Sequence, residues 1–125
     1  MGSLAGCRIL VVEDEFFLAI DIEDVLTRAG AEVVGPIPSF DEALIQVRKE
    51  GFELAVIDIN LDGSLAYPIA DELNARGVPF VFATAFAPSE LPARHKAQRL
   101  LEKPYRPEDL VRALIEADGR LASSC

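Results

Sequence analysis

The sequence has no tryptophan, one methionine, one histidine and two cysteines. The cysteines, Cys7 and Cys125, stand at opposite ends of the chain and do not make the framework of a small disulfide-held fold; neither is assigned a role. Basic residues are scarce too: 12 lysines and arginines face 21 aspartates and glutamates, for a formal net charge of −9. A nucleic-acid surface needs a basic stripe and anionic lipid needs positive charge as well, so neither nucleic acid nor a membrane is an expected partner. The apolar runs are far too short for a membrane span. The N-terminus has no charged segment leading into an apolar one, which argues against a secretory signal. Gly6 stands where a myristoylation signal has serine or threonine. The cytoplasm is the expected location. No glycine-rich turn follows the first strand-like stretch, which argues against a dinucleotide fingerprint.

What is there suffices for one domain. The 125 residues are 50% hydrophobic, and the length is that of one ordinary domain with a core. Short apolar stretches at 8–12, 32–35, 54–58, 80–84 and 99–101 read as strands. The segments between them have helical period. Leu18, Ile22, Val25, Leu26 and Ala29 share one face; so do Phe40, Ala43, Leu44 and Val47, and so do Leu110, Val111, Leu114 and Ile115. Ser39 followed by Glu42 forms a capping box. Pro107 with Glu108 and Asp109 marks another helix start. Arg28 before Gly30, Lys49 before Gly51 and Arg76 before Gly77 mark helix ends, with glycine as the left-handed cap. Strand–helix alternation five times over implies an α/β fold, a parallel sheet with helices on both faces. No linker or second domain is visible, so the expectation is a single domain over residues 1–125.

In such a sheet, ligands bind beyond the carboxyl ends of the strands. The residues there are Glu13, Asp14 and Glu15 after "ILVV", Asp58 after "LAVI", Thr84 after "FVFA" and Lys103 after "RLLE". If the first and third strands are neighbours, their ends lie roughly 5 Å apart. Two carboxylates at that distance repel by about 3 kcal/mol at an effective dielectric near 20. A cation therefore belongs among Glu13, Asp14 and Asp58. Lys103 is one candidate. A hard divalent ion is the other, and an all-oxygen site on an open crevice suits Mg²⁺. A carboxylate beside Mg²⁺, with a hydroxyl and an ammonium around it, can accept a phosphoryl group.

The acidic pair in "VVED", the aspartate of "VID", the threonine of "FAT" and the Lys-Pro of "EKP" together resemble the receiver domain of two-component response regulators. The resemblance covers roughly residues 8 to 118. It implies a flavodoxin-like, doubly wound (βα)5 fold with strand order 2-1-3-4-5 and no output domain. It implies Asp58 as phosphoacceptor from a histidine kinase or phosphotransfer protein. Mg²⁺ would be held by Glu13, Asp14, Asp58 and the backbone carbonyl of Asn60, with Asp14 binding directly and Glu13 through water. Thr84 would be the switch hydroxyl, Lys103 its charged companion and Ala85 a further phosphate contact. The Lys103–Pro104 bond would be cis. "VPFVFATAF" with "LLEKPY" resembles the subclass with a Phe-Ala-Thr-Gly-aromatic signature, called FATGUY, whose members work with HWE-type or related kinases. Phe82, Ala83, Thr84 and Phe86 match it, Ala85 replaces the glycine, and Phe86 is the expected conformational switch in place of Leu100.

The segment after Phe86 carries Pro88 and Pro92, and a proline inside a helix costs roughly 3 kcal/mol. A short or irregular fourth helix is expected there, together with a response to phosphorylation. His95 is expected on the surface, Asp62 in a turn with Gly63, and Asp14 is weighed as a helix cap. Tyr67 and Tyr105 are expected to pack. Two other functions were weighed. A phosphatase using Asp58 would want a second acid two residues on, where Asn60 stands. A receiver-like binding module that is never phosphorylated would not need the full set of Glu13, Asp14, Asp58, Thr84 and Lys103.

Overall fold

The computed structural model describes residues 4–85 and 90–118. In chain order the elements are β1 (Arg8–Val12), α1 (Phe16–Arg28), β2 (Glu32–Ile37), α2 (Phe40–Lys49) and β3 (Leu54–Ile57). After them come β4 (Asn60–Leu61), β5 (Ser64–Leu65), α3 (Tyr67–Ala75), β6 (Phe80–Thr84), a 3-10 turn (Ala93–His95), β7 (Leu100–Glu102) and α4 (Pro107–Ala117). The five parallel strands lie in the order β2-β1-β3-β6-β7, and β4 pairs only with β5. With that small hairpin left out of the count, the order is the expected 2-1-3-4-5 of a flavodoxin-like sheet. The direction of winding reverses between β1 and β3, which makes the carboxyl ends of those strands the crevice.

Alternation along each strand divides the core in two. Leu10, Val12, Ala55, Ile57, Phe80 and Phe82 face α2 and α3, where Ala43, Val47, Ile69 and Leu73 meet them. Ile9, Val11, Leu54, Val56, Val81 and Ala83 face α1 and α4, against Ile22, Leu26, Leu110 and Leu114. Strands buried on both faces read as continuous apolar runs, which is why they were visible in sequence. The helix ends follow the expected chemistry as well. Ser39 Oγ accepts from the Glu42 amide at 3.1 Å, and Gly30, Gly51 and Gly77 all have positive φ.

The differences are local. Strand β2 runs on to Ile37 because its ladder with β1 slips between Leu10 and Val12. Gly35 sits at the slip with φ +104°. A side chain there would meet the Val11 carbonyl oxygen at 2.9 Å and the Ile37 nitrogen at 2.8 Å, so the close approach of two backbones requires glycine. The Gly35–Pro36 and Lys103–Pro104 bonds are cis. The β4–β5 hairpin was not expected as a sheet. Asp62 (φ 51°) and Gly63 (φ 91°) form its two-residue turn, the residue pair such a turn demands. Asp62 is therefore a turn residue, as its place before Gly63 implies.

Between β6 and β7 the described residues include the 3-10 turn Ala93–His95 and no α-helix. Pro92 precedes it with an extended backbone instead of interrupting a helix, so the proline's missing amide costs nothing there. Cys7 is buried and disulfide-bonded, which corrects its expected lack of a role. Cys125 lies outside the described residues, as do Phe86 and Pro88. Among the described residues, no helix is long and apolar enough to cross a membrane.

Candidate functional site

Main-chain hydrogen bonds extend the sheet one residue past its strands and fix the acids. The Glu13 amide donates to the Ile37 carbonyl at 3.1 Å, the Asp58 amide to Val12 at 2.9 Å and the Lys103 amide to Thr84 at 2.8 Å. The side chains of Glu13, Asp58 and Lys103 are thus carried by the sheet itself, where loops would position them less firmly. They converge. Lys103 Nζ donates to Glu13 Oε1 at 3.1 Å and to Asp58 Oδ2 at 3.0 Å. The remaining oxygens are also engaged: Glu13 Oε2 accepts from the Glu15 amide at 3.1 Å, and Asp58 Oδ1 from the Asn60 amide at 3.2 Å. Asn60 Oδ1 accepts from the Gly63 amide at 2.8 Å, so the Asn60 side chain is committed to the hairpin turn.

Burial divides the cluster. Glu13, Asp58 and Thr84 are 2%, 6% and 1% exposed, while Asp14 opens further toward solvent. Asp14, Asp58, Asn60, Thr84, Ala85 and Lys103 line a cleft of ≈ 670 Å³, whose rim is completed by Glu15, Phe16, Asp62 and Gly63. Glu13 lies beneath this surface, behind the lysine. Burial, and then the charge of Asp58, push the Glu13 carboxyl up to about 7, although its bond from Glu15 and the charge of Lys103 oppose this. Burial pulls Lys103 down, but the bond and charge of Asp58 and then those of Glu13 outweigh it, and its net shift is upward. One lysine thus leaves the cluster short of positive charge.

Oxygens of Glu13, Asp14 and Asp58 lie within 4.8 Å of one another. An all-carboxylate donor set that is short of positive charge and open on one side fits a hard divalent cation. The expected site residues are therefore brought together, except Phe86, which lies outside the described residues.

Three further placements were not legible in sequence. The side chain that caps α1 is Glu15, accepting from Leu18 at 2.7 Å, and not Asp14; this leaves Asp14 available to the cleft. The exposed aromatics Phe16 (67%) and Phe17 (72%) stand at the start of α1, and Phe16 lines the rim of the cleft. The adjacent pair "FF" before a helical period was the only signal for them. His95 is not on the surface. It is 1% exposed and stacks on Tyr67 with ring centroids 5.5 Å apart, because the 3-10 turn rolls it inward.

The response regulator receiver domain family matches residues 9–115. The solution structure of SdrG from Sphingomonas melonis Fr1 is 35% identical with a TM-score of 0.77, over 91% of this chain and 96% of that one. The transcriptional regulatory protein PdtaR of Mycobacterium tuberculosis is 28% identical over 117 residues, 90% of this chain and 57% of its own. The receiver domain of sensor histidine kinase PA1611 from Pseudomonas aeruginosa PAO1, solved with a magnesium ion coordinated in its active-site cleft, has a TM-score of 0.78 at 24% identity, over 92% of this chain and 99% of that one. The chain spans about half the length of the curated relatives it matches.

Proposed function

This chain belongs to the response regulator receiver domain family, and we propose that it works as a phosphoacceptor switch, with Asp58 taking a phosphoryl group from a histidine kinase or a phosphotransfer protein. One observation carries the reading: Asp58 sits on the cleft floor between Lys103 and the Asn60 amide, with Asp14 on one side and Thr84 on the other. A carboxylate so held is fixed in orientation and open to the cleft. Its oxygen attacks phosphorus as the bond from phosphorus to the donor nitrogen breaks, leaving an acyl phosphate on Asp58 and an imidazole on the donor.

Lys103 already pairs with Asp58 and offsets charge on the transferring oxygens. The Thr84 hydroxyl donates to one of those oxygens, and Ala85 lies at the same wall. Glu13, Asp14, Asp58 and the Asn60 carbonyl would hold Mg²⁺, with Glu13 acting through water. Bound there, the ion supplies the positive charge that one lysine does not. Asn60, where a phosphatase would need a second acid, supports a switch over turnover of external substrates.

Phe16, exposed at the cleft rim, fits a donor that arrives on a protein surface. A kinase of the HWE type is the finer reading of that donor, and the cytoplasm is the compartment in which we place the exchange. Output through a protein contact, or a role as phosphate sink, follows if no further domain is attached.

The test is intact mass after incubation with acetyl phosphate and Mg²⁺, beside Asp58→Ala and a chelated control. One added phosphate, absent from both controls, is expected. No addition to the wild type, even with a cognate donor, would favour an unphosphorylated binding module.

A further inference from the structure

His95 is a buried titratable group that chemistry at Asp58 leaves unused. Its ring stacks on Tyr67 and meets Phe82 edge-on at 5.6 Å and 85°. Nε2 lies 3.0 Å from Asp71 Oδ1, yet neither ring nitrogen has an aligned hydrogen-bond partner. That oxygen already accepts from Arg94 Nε at 2.9 Å, and Asp71 Oδ2 accepts from Arg94 Nη2 at 3.0 Å. A buried polar atom whose neighbour is misaligned recovers only part of its desolvation cost. The Arg94–Asp71 pair, with side chains 56% and 44% exposed, is screened by solvent and adds little. Ring packing therefore seats the connection over residues 90–98 on α3, while the polar atoms of the same histidine work against the seat. Opposed terms of this kind make an element that a small push can move.

The push has a route. Phe82, against which His95 packs, stands two residues before Thr84, and alternate residues of a strand share a face. The connection is tied to the same strand by Gln98 Nε2 donating to the Phe80 carbonyl at 2.9 Å and by the Phe82 amide donating to Arg99 at 3.0 Å. We propose that His95 is the positioning residue of the switch: it seats residues 90–98 against α3 and Phe82 in the resting protein, and the seat loosens when Thr84 is drawn toward a phosphoryl group on Asp58. The second half of this proposal rests on the phosphoacceptor reading; the first half does not.

The experiment is amide exchange and thermal melting of the full chain as wild type, His95→Phe and Asp71→Asn. Each is measured with and without acetyl phosphate and Mg²⁺, with intact mass alongside. Phenylalanine keeps a ring between Tyr67 and Phe82 and removes both ring nitrogens, neither of which has an aligned hydrogen-bond partner. His95→Phe is expected to melt about 2–6 °C higher and to exchange more slowly over 90–98 at rest. Its change on phosphorylation should shrink while its mass shows phosphate uptake equal to wild type. Asp71→Asn should exchange faster over the same residues. A His95→Phe protein that melts at or below the wild-type temperature, or that keeps the full exchange response, overturns the proposal. If the wild type gains no phosphate, the acceptor reading falls, and the resting comparison of His95→Phe with wild type still decides the seat.

Discussion

Two regions of this molecule bury titratable groups, and they do so in opposite ways. At the carboxyl ends of β1 and β3, Glu13 and Asp58 are buried together with their counter-charge, Lys103, and the cluster opens on one side to a cleft. On the α3 side of β6, His95 is buried among rings, with its nitrogens unaligned to any partner and its nearest carboxylate already engaged by Arg94. The first arrangement is electrostatic. It lacks positive charge and so invites a cation. The second is steric, held by apolar contact and weakened by its own polar atoms. A buried charge with a partner marks where chemistry happens. A buried polar ring without an aligned partner opposes the packing that holds it.

The largest effect expected from breaking this comparison comes from the steric side. Phe82→Ala removes the ring shared by Tyr67, Phe80 and His95 and should cost about 3–5 kcal/mol in denaturant unfolding. A loss under about 1 kcal/mol would mean the cluster does not hold β6. On the electrostatic side, Lys103→Met keeps the stem and removes the charge, leaving Glu13 and Asp58 buried and unpaired. Breaking such a pair costs about 2–4 kcal/mol when it is partly solvent-accessible. Added Mg²⁺ should restore more stability to Lys103→Met than it gives the wild type. Equal gains from the metal would show that the lysine and the ion do not share the same deficit.

The smallest effect is expected at Asp71. The hydrogen bond from Arg94 holds its carboxyl below the usual range, with partial burial opposing this. A carboxyl depressed in the folded state stabilises the fold above its unfolded value near 3.8, and that contribution is lost as pH falls through the folded value. The groups acting on it are Arg94 and His95. The difference in melting temperature between wild type and Asp71→Asn should stay level from pH 8 to about 5 and shrink below about 4. Added salt should reduce it throughout, since the pair is exposed. A difference that grows on acidification would reverse the sign of this account.

The acidic site was legible because each of its members ends a strand that reads as a strand. "ILVV" and "LAVI" announce burial, and an acid directly after such a run is conspicuous. Charge repulsion then demands a cation once the first and third strands are taken as neighbours. Thr84 and Lys103 follow by the same rule. The 3-10 turn that rolls His95 inward has no such signature. A lone histidine between two basic residues, Arg94 and Lys96, reads as surface, and its burial depends on Tyr67 and Phe82, which are distant in sequence. The β4–β5 hairpin falls between these cases: Asp62–Gly63 was visible as a turn, but residues as short a run as Asn60–Leu61 carry no strand period.

The sequence by itself determined the strand and helix alternation, the five strands' parallel arrangement and the list of residues at the cleft, because periodicity, caps and runs of apolar residues are local quantities. Tertiary structure alone decided which oxygens Lys103 takes, that Glu15 and not Asp14 caps α1, that Glu13 lies beneath the cleft surface, and that the only histidine is inside. Those outcomes depend on which elements become neighbours, and on the low dielectric and packing that their contact creates.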